Sequence, residues 1–194
     1  MVRHLTFVRT VRHTTMLLPK EVPKFECLLE RSKTYPDLDP SAMEAFMHFL
    51  TTSTAIFEDL NAMHSEHNIS EGRFGVMVLL NREPGKPANP AELADRAQVT
   101  RATMTGLIDT LERDGFVKRE HAPDDRRMML VQLTEQGRQF LESILPVYFR
   151  RVNTLMSELT MHERKTLVGL MGKIRQSLHD LGRQPPAPAG AARC

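Results

Sequence analysis

The sequence contains no tryptophan, only two cysteines and no long apolar run. Cys27 and Cys194 lie near opposite ends of the chain, so we expect neither a disulfide framework nor a cysteine-based zinc site, as is typical of a reducing cytoplasm. No stretch approaches the roughly 18 apolar residues of a membrane span. With 41% hydrophobic and 26% charged residues, the chain is predicted to be globular, cytoplasmic and without a membrane partner.

The sequence motifs of common enzymes are also missing. It contains no G-x-S-x-G nucleophile turn, no phosphate-binding P-loop and no H-E-x-x-H zinc motif. Groupings of serine, histidine and aspartate occur, but none has a diagnostic spacing. We therefore predict that the protein is not an enzyme and that it has no catalytic residues, no bound metal and no cofactor.

What the sequence does contain is concentrated between Ala91 and Thr134. Apolar residues with helical spacing predict one buried stripe on a short helix: Met104, Leu107, Ile108 and Leu111. The opposite face, near the start of that helix, carries only short, hydroxylated or cationic residues. Such a face suits a helix that lies in the DNA major groove, because nothing bulky holds it away from the bases. These residues are Thr100, Arg101, Thr103, Thr105 and Gly106.

A second short helix precedes this one, with Asn89 as its predicted N-cap and Pro90 at its first position. Only residues 98–99 separate the two helices, which predicts a helix-turn-helix. Residues 116–119 and 128–133 then read as two strands, and residues 123–127 as the hairpin tip between them. The whole stretch is predicted to be a winged helix-turn-helix. The wing adds four candidate DNA-binding residues, which are Lys118, Asp125, Arg126 and Arg127.

The net charge of only +2 does not by itself point to nucleic acid. Between Thr100 and Arg127 the chain has six basic and six acidic residues, so the placement of charge must matter more than its sum. We expect the basic residues at positions 101, 118, 126 and 127 to face DNA. The acidic residues expected to turn away from DNA are Asp109, Glu112 and Asp114.

This region resembles the MarR family of transcriptional regulators. The resemblance rests on the helix T-R-A-T-M-T-G-L-I-D-T-L-E-R-D-G-F-V and the wing D-D-R-R-M-M-L-V-Q-L-T-E-Q-G, and it extends less sharply over residues 40–181. The family's wing signature, Asp-x-Arg and then Leu-Thr, falls on Asp125, Arg127, Leu133 and Thr134. It implies a mainly α fold with a small β-hairpin wing, and a helical dimerisation layer formed by the N- and C-terminal helices.

The resemblance also implies how the chain would act. Double-stranded DNA and a second copy of the chain are the expected partners, with a pseudo-palindromic operator and repression relieved by a small effector. A wing arginine is expected in the minor groove. We assign Asp125 to bracing a wing arginine by an ion pair, because an acid so close to DNA would otherwise repel phosphate.

The domain organisation follows from the predicted helices. A long helix capped by Asp39 should run from Pro40 to about Glu66. A helix capped by Ser70 should follow over residues 71–81, with Phe74, Met77, Val78 and Leu79 inward. Two further helices should follow the wing, one to about Leu159 and one from a capping box of Thr160 and Glu163 to about Leu181. Residues 39–68 and 138–182 are predicted to form the dimerisation region, and residues 69–137 the DNA-binding domain. Residues 1–38 are read as a partly disordered extension, or as the result of a start upstream of Met16, and residues 183–194 as a disordered tail.

In this family the effector, often an aromatic carboxylate or a phenol, binds between the dimer helices and the winged module. An apolar slot with one cation would suit an aromatic acid, although each candidate is also plausible as core. The candidates are Phe49, Ser53, Phe57, Glu71, Arg73, Phe74, Val78, Phe149 and Val152.

Three alternatives remain open for the signal. A metal could be sensed by His64 and His67 with Glu66 and Glu71 nearby, although solvated histidines are expected at such a polar helix end. The resemblance implies that a peroxide-sensing member carries its reactive cysteine early in the first long helix. Cys27 precedes that helix, which disfavours a redox switch. The third alternative is an architectural DNA-binding protein that takes no ligand.

Overall fold

Seven helices and two strands follow one another in the computed structural model, which describes residues 22–125 and 127–181. Their order, helices before and after a single hairpin, is that of a mainly α protein with a small wing, as predicted. The elements are α1 Phe25–Ser32, α2 Pro40–Glu66, α3 Glu71–Asn81, α4 Pro90–Ala97, α5 Arg101–Arg113, β1 Val117–His121, β2 Met129–Leu133, α6 Glu135–Leu155 and α7 Met161–Leu181.

The predicted helix starts are confirmed by side-chain caps. The Asp39 carboxylate accepts the backbone N–H groups of Ser41 and Ala42 at the start of α2, and these bonds lower its pKa, with the Ala42 bond contributing most. Ser70 caps α3, with its Oγ accepting the Arg73 N–H at 3.4 Å. Thr160 and Glu163 form the expected capping box of α7.

The described residues form two compact units, divided between Leu145 and Pro146. The first unit buries the apolar faces of α3, α4, α5 and the hairpin together. Met77, Leu93, Met104 and Val131 are completely buried there. The predicted stripe of α5 is confirmed at positions 104, 108 and 111, whereas Leu107 is only half-buried.

The wing is an antiparallel hairpin in which Val117 pairs with Leu133 and His121 with Met129. Ala88 forms an isolated bridge with Val131 at the edge of the hairpin. The two backbone hydrogen bonds have N···O distances of 2.8 and 2.9 Å. Strand alternation turns residues 117 and 119 to one side of the hairpin and residues 118 and 120 to the other. The first of these sides contains the buried Val117.

The Leu-Thr-x-x-Gly sequence after the wing forms a tight junction with α6. Thr134 donates its hydroxyl to the Gly115 carbonyl at 2.7 Å and accepts the Gly137 N–H at 3.0 Å. A Cβ added at Gly137 would lie 2.0 Å from the carbonyl oxygen of Phe116. Only glycine therefore allows the first turn of α6 to approach the start of the wing so closely.

Several predicted details are wrong. The inward residues of α3 are Phe74, Val76, Met77 and Leu80, whereas Val78 and Leu79, expected inside, are half-buried. The buried side of α3 is rotated about the helix axis relative to the predicted side. It is set by the contacts that α3 makes with α4, α5 and β2.

The element boundaries also shift. The first strand begins at Val117 and ends at His121, and the second begins at Met129, so the wing is displaced by one or two residues from its predicted position. The sixth helix ends at Leu155, earlier than the predicted Leu159, and it continues through Pro146. The predictions for Arg126, for residues 1–21 and for residues 182–194 concern positions outside the described residues.

The second unit consists of the end of α6 and the whole of α7. Tyr148 and Phe149 make an edge contact with ring centroids 6.0 Å apart. Within α7, all of which is described, no residue is buried. Its large exposed apolar residues are Met161, Val168, Leu170, Ile174, Leu178 and Leu181. None of the helices in the described ranges is both long enough and apolar enough to cross a membrane.

We predict that Gly137→Ala destabilises the protein by about 1–3 kcal/mol or more, because the clash is with backbone and no side-chain rotation relieves it. Gly75→Ala is the matched control, since a Cβ at that helical glycine meets nothing within 4 Å. The control should stabilise the protein by about 0.5–1 kcal/mol. Urea unfolding followed by circular dichroism measures both, and equal stability of the two variants would contradict the junction described above.

Candidate nucleic-acid interface

The two faces of α5 have opposite characters. Met104, Ile108 and Leu111 have no exposed surface and hold the helix against the core. The other face is solvent-exposed at residues 101–103, 105–106 and 109. A left-handed Gln98, with φ of 54°, forms the tight turn that joins α4 to α5. The helix is therefore rigidly mounted, and its exposed face is free for a partner.

The first turn of α5 is arranged by threonine hydroxyls. Thr100 Oγ1 accepts the N–H of Thr103 at 3.0 Å, and the two hydroxyls lie 2.8 Å apart. Thr105 donates its hydroxyl to the carbonyl of Arg101 at 2.9 Å. That bond leaves the oxygen lone pairs and the methyl group of Thr105 on the exposed face, where they can meet an external donor or an apolar group.

Gly106 lies on the same face and has open space around it. A Cβ at this position would meet nothing within 4 Å, and its φ is not positive. A glycine inside a helix costs about 0.5–1 kcal/mol relative to alanine. Neither the packing nor the backbone of the described chain requires a glycine here.

The tip of the wing is an aspartate turn. Asp125 Oδ1 accepts the backbone N–H of Arg127 at 2.9 Å, and its carbonyl accepts the N–H of Met128 at the same distance. The contact between Asp125 and Arg127 thus involves the backbone of the arginine, whereas the sequence predicted an ion pair with a guanidinium. It fixes where the Arg127 side chain leaves the hairpin.

An open cleft of about 410 Å³ lies between the wing and the starts of α4 and α5. It brings together Arg101, Thr105, Asp125 and Arg127, four of the predicted DNA-binding residues. The remaining lining residues were not predicted to belong to this site, although Asn89 and Pro90 were predicted at the start of α4. They are Asn89, Pro90, Ala91, Met128 and Met129.

The acidic residues of α5 and of its C-cap, Asp114, form ion pairs within the protein. Asp114 accepts the Arg73 guanidinium at 2.6 Å. Asp109 and Glu112 both accept the Arg119 guanidinium, at 2.5 and 2.6 Å. Their negative charge is therefore largely balanced before any partner arrives.

The basic residues beside the cleft differ in their contacts. Lys118, on the wing, forms an ion pair with Glu120, whose pKa is lowered chiefly by that bond. Among the residues that the structure describes, Arg101 and Arg127 take part in no ion pair through their side chains. The cleft therefore presents two available cations although the total charge of the region is balanced.

The predicted effector residues lie in varied environments. Phe74 is buried against His64, with ring centroids 4.7 Å apart. Arg73 also donates to the Asn68 carbonyl at 2.9 Å and to the Ser70 hydroxyl at 3.4 Å, so with Asp114 its guanidinium already has three contacts. Glu71 is exposed, and Ser53 and Val78 are half-buried. In the second unit, Phe149 is exposed and Val152 is half-buried.

On α2, the spacing of four residues places Phe49, Ser53 and Phe57 on one face of the helix. The two phenylalanines are 37% and 54% exposed. This face is therefore apolar and accessible in the described chain.

His64 differs from its predicted setting. It was expected at a solvated helix end, but it is 2% exposed. Burial lowers its pKa, against the smaller raising effect of Glu71 and with a further lowering by His67. His67 instead contacts the Met63 carbonyl through Nδ1 at 2.9 Å.

Residues 22–125 and 127–181 contain no group of three or more potential ligands placed to hold a metal. Cys27 is exposed on α1.

Comparison with known proteins gives a consistent result. The sequence model of the MarR family matches residues 69–129. The HTH-type transcriptional repressor YetL of Bacillus subtilis (strain 168) is 33% identical over 159 residues, which cover 82% of this chain and 95% of that protein. The transcriptional repressor MprA of Escherichia coli (strain K12) is 29% identical over 126 residues, which cover 65% of this chain and 72% of that protein.

A solved structure has a similar fold. It is the crystal structure of a MarR family transcriptional regulator from Streptomyces coelicolor in complex with DNA. The similarity covers 77% of this chain and 91% of that one, with a TM-score of 0.67 and 24% sequence identity. It supports the winged helix-turn-helix architecture built above from the residues.

Proposed function

Since the chain belongs to the MarR family of transcriptional regulators, we propose that it is a repressor that binds a pseudo-palindromic operator as a homodimer and releases it when a small aromatic acid or phenol binds. The observation that carries this proposal is the cleft between α5 and the wing. It presents Arg101 and Arg127, which form no ion pair with the described residues, beside a helix face without bulky side chains. DNA offers phosphates and base edges to both elements at once.

In the proposed complex, α5 lies in the major groove. Arg101 and Thr105 meet base edges there, and Gly106 lets the helix backbone approach closely. Thr100 and Thr103 contact phosphate near the helix start, where free N–H groups favour anions. Lys118, Arg126 and Arg127 belong to the wing, with Arg127 in the adjacent minor groove and Asp125 holding its backbone. Residues 69–137 form the DNA-binding domain in this proposal.

The homodimer rests on apolar surface that one copy leaves exposed. Val168 and Leu178 on α7 are 72% and 63% exposed, and Phe46 on α2 is 53% exposed. Exposed apolar patches of this kind mark interfaces. We assign residues 39–68 and 138–182 to this layer. Sedimentation equilibrium should give twice the chain mass of 22.1 kDa, and a mass of one chain would contradict the arrangement.

We predict that Gly106→Ala raises stability but weakens DNA binding. The methyl group fits the free protein and removes a helix-interior glycine, so unfolding should cost about 0.5–1 kcal/mol more. In the complex the same methyl group should collide with the groove and reduce operator affinity roughly tenfold, within the 1–3 kcal/mol of an overpacked contact. Thermal unfolding and titration of an operator selected from random duplexes measure the two effects.

Gly75→Ala is the control for this experiment, because it makes the same change at an open position in α3. It should show the gain in stability with unchanged DNA affinity. If Gly106→Ala binds the operator as tightly as the unmodified protein, α5 does not approach DNA at that residue.

The effector is proposed to occupy the region of Phe49, Ser53 and Phe57 together with the start of α3. This face of α2 is apolar and accessible. Arg73, next to Phe74 in the sequence, is the proposed cation, and a carboxylate would share its guanidinium with Asp114. Phe149 and Val152 stay effector candidates through the family resemblance alone. An aromatic carboxylate would match an apolar slot with one positive charge.

We predict that benzoate or phenol raises the melting temperature and weakens operator binding, whereas cyclohexanecarboxylate has a smaller effect. A ligand that binds the native state at 100 times its Kd adds about 2.7 kcal/mol to the free energy of unfolding. Thermal shift and DNA titration with the same ligand series give both readouts. A response to Zn²⁺ alone would favour the metal-sensing alternative, and no response to any of these would favour a ligand-independent DNA-binding protein.

A further inference from the structure

Arg119 connects the wing to α5 through three hydrogen bonds. Its Nη2 donates to Asp109 Oδ1 at 2.5 Å, and its Nη1 donates to Glu112 Oε2 at 2.6 Å. Its backbone N–H donates to the other oxygen of Glu112 at 3.2 Å. Asp109 and Glu112 lie three residues apart on α5, so both face the same strand. One arginine thus binds two acidic residues that lie about one helical turn apart on α5.

The contact is shielded mainly on the side of Arg119, since the side chains of Asp109 and Glu112 are 56% and 38% exposed. Only 23% of the Arg119 side chain is exposed, and the residue pairs across the hairpin with the buried Val131. Burial lowers the pKa of Arg119, but the bonds to Asp109 and Glu112 outweigh it and raise the pKa above its ordinary value. A planar guanidinium can serve two carboxylates at fixed angles, whereas a lysine ammonium offers only a point charge.

Apolar packing already holds one face of the hairpin, since Val117, Val131 and Leu133 are buried and Ala88 forms a bridge to Val131. Lys118 and Glu120, the neighbours of Arg119 in β1, pair with each other on the opposite side of the strand. Glu120 also accepts the Gln132 amide at 2.8 Å within the hairpin. Among the described ion pairs, those of Arg119 are therefore the ones that join the wing to α5. They are therefore placed to restrain the wing against α5 in addition to that packing.

We propose that Arg119 is a positioning residue that fixes the wing relative to α5, so that Arg127 reaches the minor groove while α5 occupies the major groove. This inference rests on the proposed DNA-binding function. Two contacts made by one rigid body reinforce each other, because the first contact places the second where it must bind. If the wing moves freely against α5, that reinforcement is lost although Arg127 itself is unchanged.

The test is a double-mutant cycle between Arg119→Lys and Arg127→Ala, measured as operator affinity. In the unmodified protein, Arg127→Ala should weaken binding about tenfold, as expected for an arginine in a groove. In the Arg119→Lys background the same change should cost less than about threefold, because the wing no longer holds Arg127 in place. Additive effects would mean that Arg119 does not position the wing.

Arg138→Lys is the matched control for the cycle. Arg138 also binds a carboxylate and a carbonyl, those of Glu135 and Leu133, but it lies on α6 beyond the wing. In that background Arg127→Ala should keep its full cost. If Arg138→Lys reduces the cost as much as Arg119→Lys does, the effect is a general loss of stability, and the inference fails.

The acceptors provide a second test that does not alter Arg119. Asp109→Asn and Glu112→Gln each remove a negative charge beside the proposed DNA site, so simple electrostatics predicts tighter binding. Positioning predicts weaker binding and a smaller cost of Arg127→Ala in both variants. Tighter binding with an undiminished cost of Arg127→Ala would overturn the proposal.

A direct phosphate contact by Arg119 is distinguished by salt dependence. The double variant Arg119→Gln/Arg127→Ala is compared with Arg127→Ala alone. If Arg119 only positions the wing, plots of log affinity against log salt concentration should have equal slopes for the two variants. Loss of a direct contact would reduce the slope by about one unit. A reduced slope would therefore assign Arg119 to DNA contact instead of positioning.

Hydrogen exchange in the free protein separates this inference from the proposed function. Arg119→Lys should speed exchange of the β1 and β2 amides at least several-fold while the α3 amides stay protected. If the unmodified protein shows no operator preference but the variant loosens the wing, the proposed function fails and the positioning role survives. Unchanged exchange in the wing would overturn the positioning role.

Discussion

The exposed face of α5 can exist only because the opposite face is completely buried. Met104, Ile108 and Leu111 have no accessible surface, and burying side chains of this size contributes about 1.5–3 kcal/mol each. That contribution holds a helix whose outer face carries small polar residues and a glycine, which by themselves favour helix formation weakly. The same burial sets the rotation of α5 about its axis. The rotation in turn decides that Thr105 and Gly106 face outward.

Electrostatics in this region depends on pairing more than on sum. The four acidic residues at positions 109, 112, 114 and 120 are each bound to a basic side chain. Arg101 and Arg127, next to the open cleft, are not paired with any residue in the described ranges. A nearly neutral chain can thus present a local positive site. Exposed ion pairs such as Lys118–Glu120 stabilise a fold only modestly, so the main effect of that pair is on where positive charge remains available.

The sequence was sufficient wherever a feature depends on neighbours in the chain. The caps at Asp39, Ser70 and Thr100 use atoms two or three residues away, and the stripe of α5 follows from helical period alone. The ion pair between Arg73 and Asp114 joins residues 41 positions apart, and no local pattern predicts it. The burial of His64 depends in the same way on Phe74, which a following helix supplies.

Arg119 is an intermediate case between these two groups. Strand alternation puts it on the same side as the buried Val117, which the sequence pattern implies once the strand is placed. Its acceptors on α5 become evident only when the angle between strand and helix is known. The strand limits were themselves displaced in the prediction, because the aspartate turn at the tip, not apolar alternation, determines where pairing ends.

In the proposed complex, two copies of the chain each place α5 in a major groove and the wing in the neighbouring minor groove. Chemical footprinting on a duplex selected by the protein tests this arrangement most directly. We expect protection of guanine N7 in the major groove, flanked by protection of minor-groove sugars, in two patches related by twofold symmetry and centred one helical turn or a multiple of it apart. A single patch, or minor-groove sugars that stay fully reactive beside protected guanines, would contradict it.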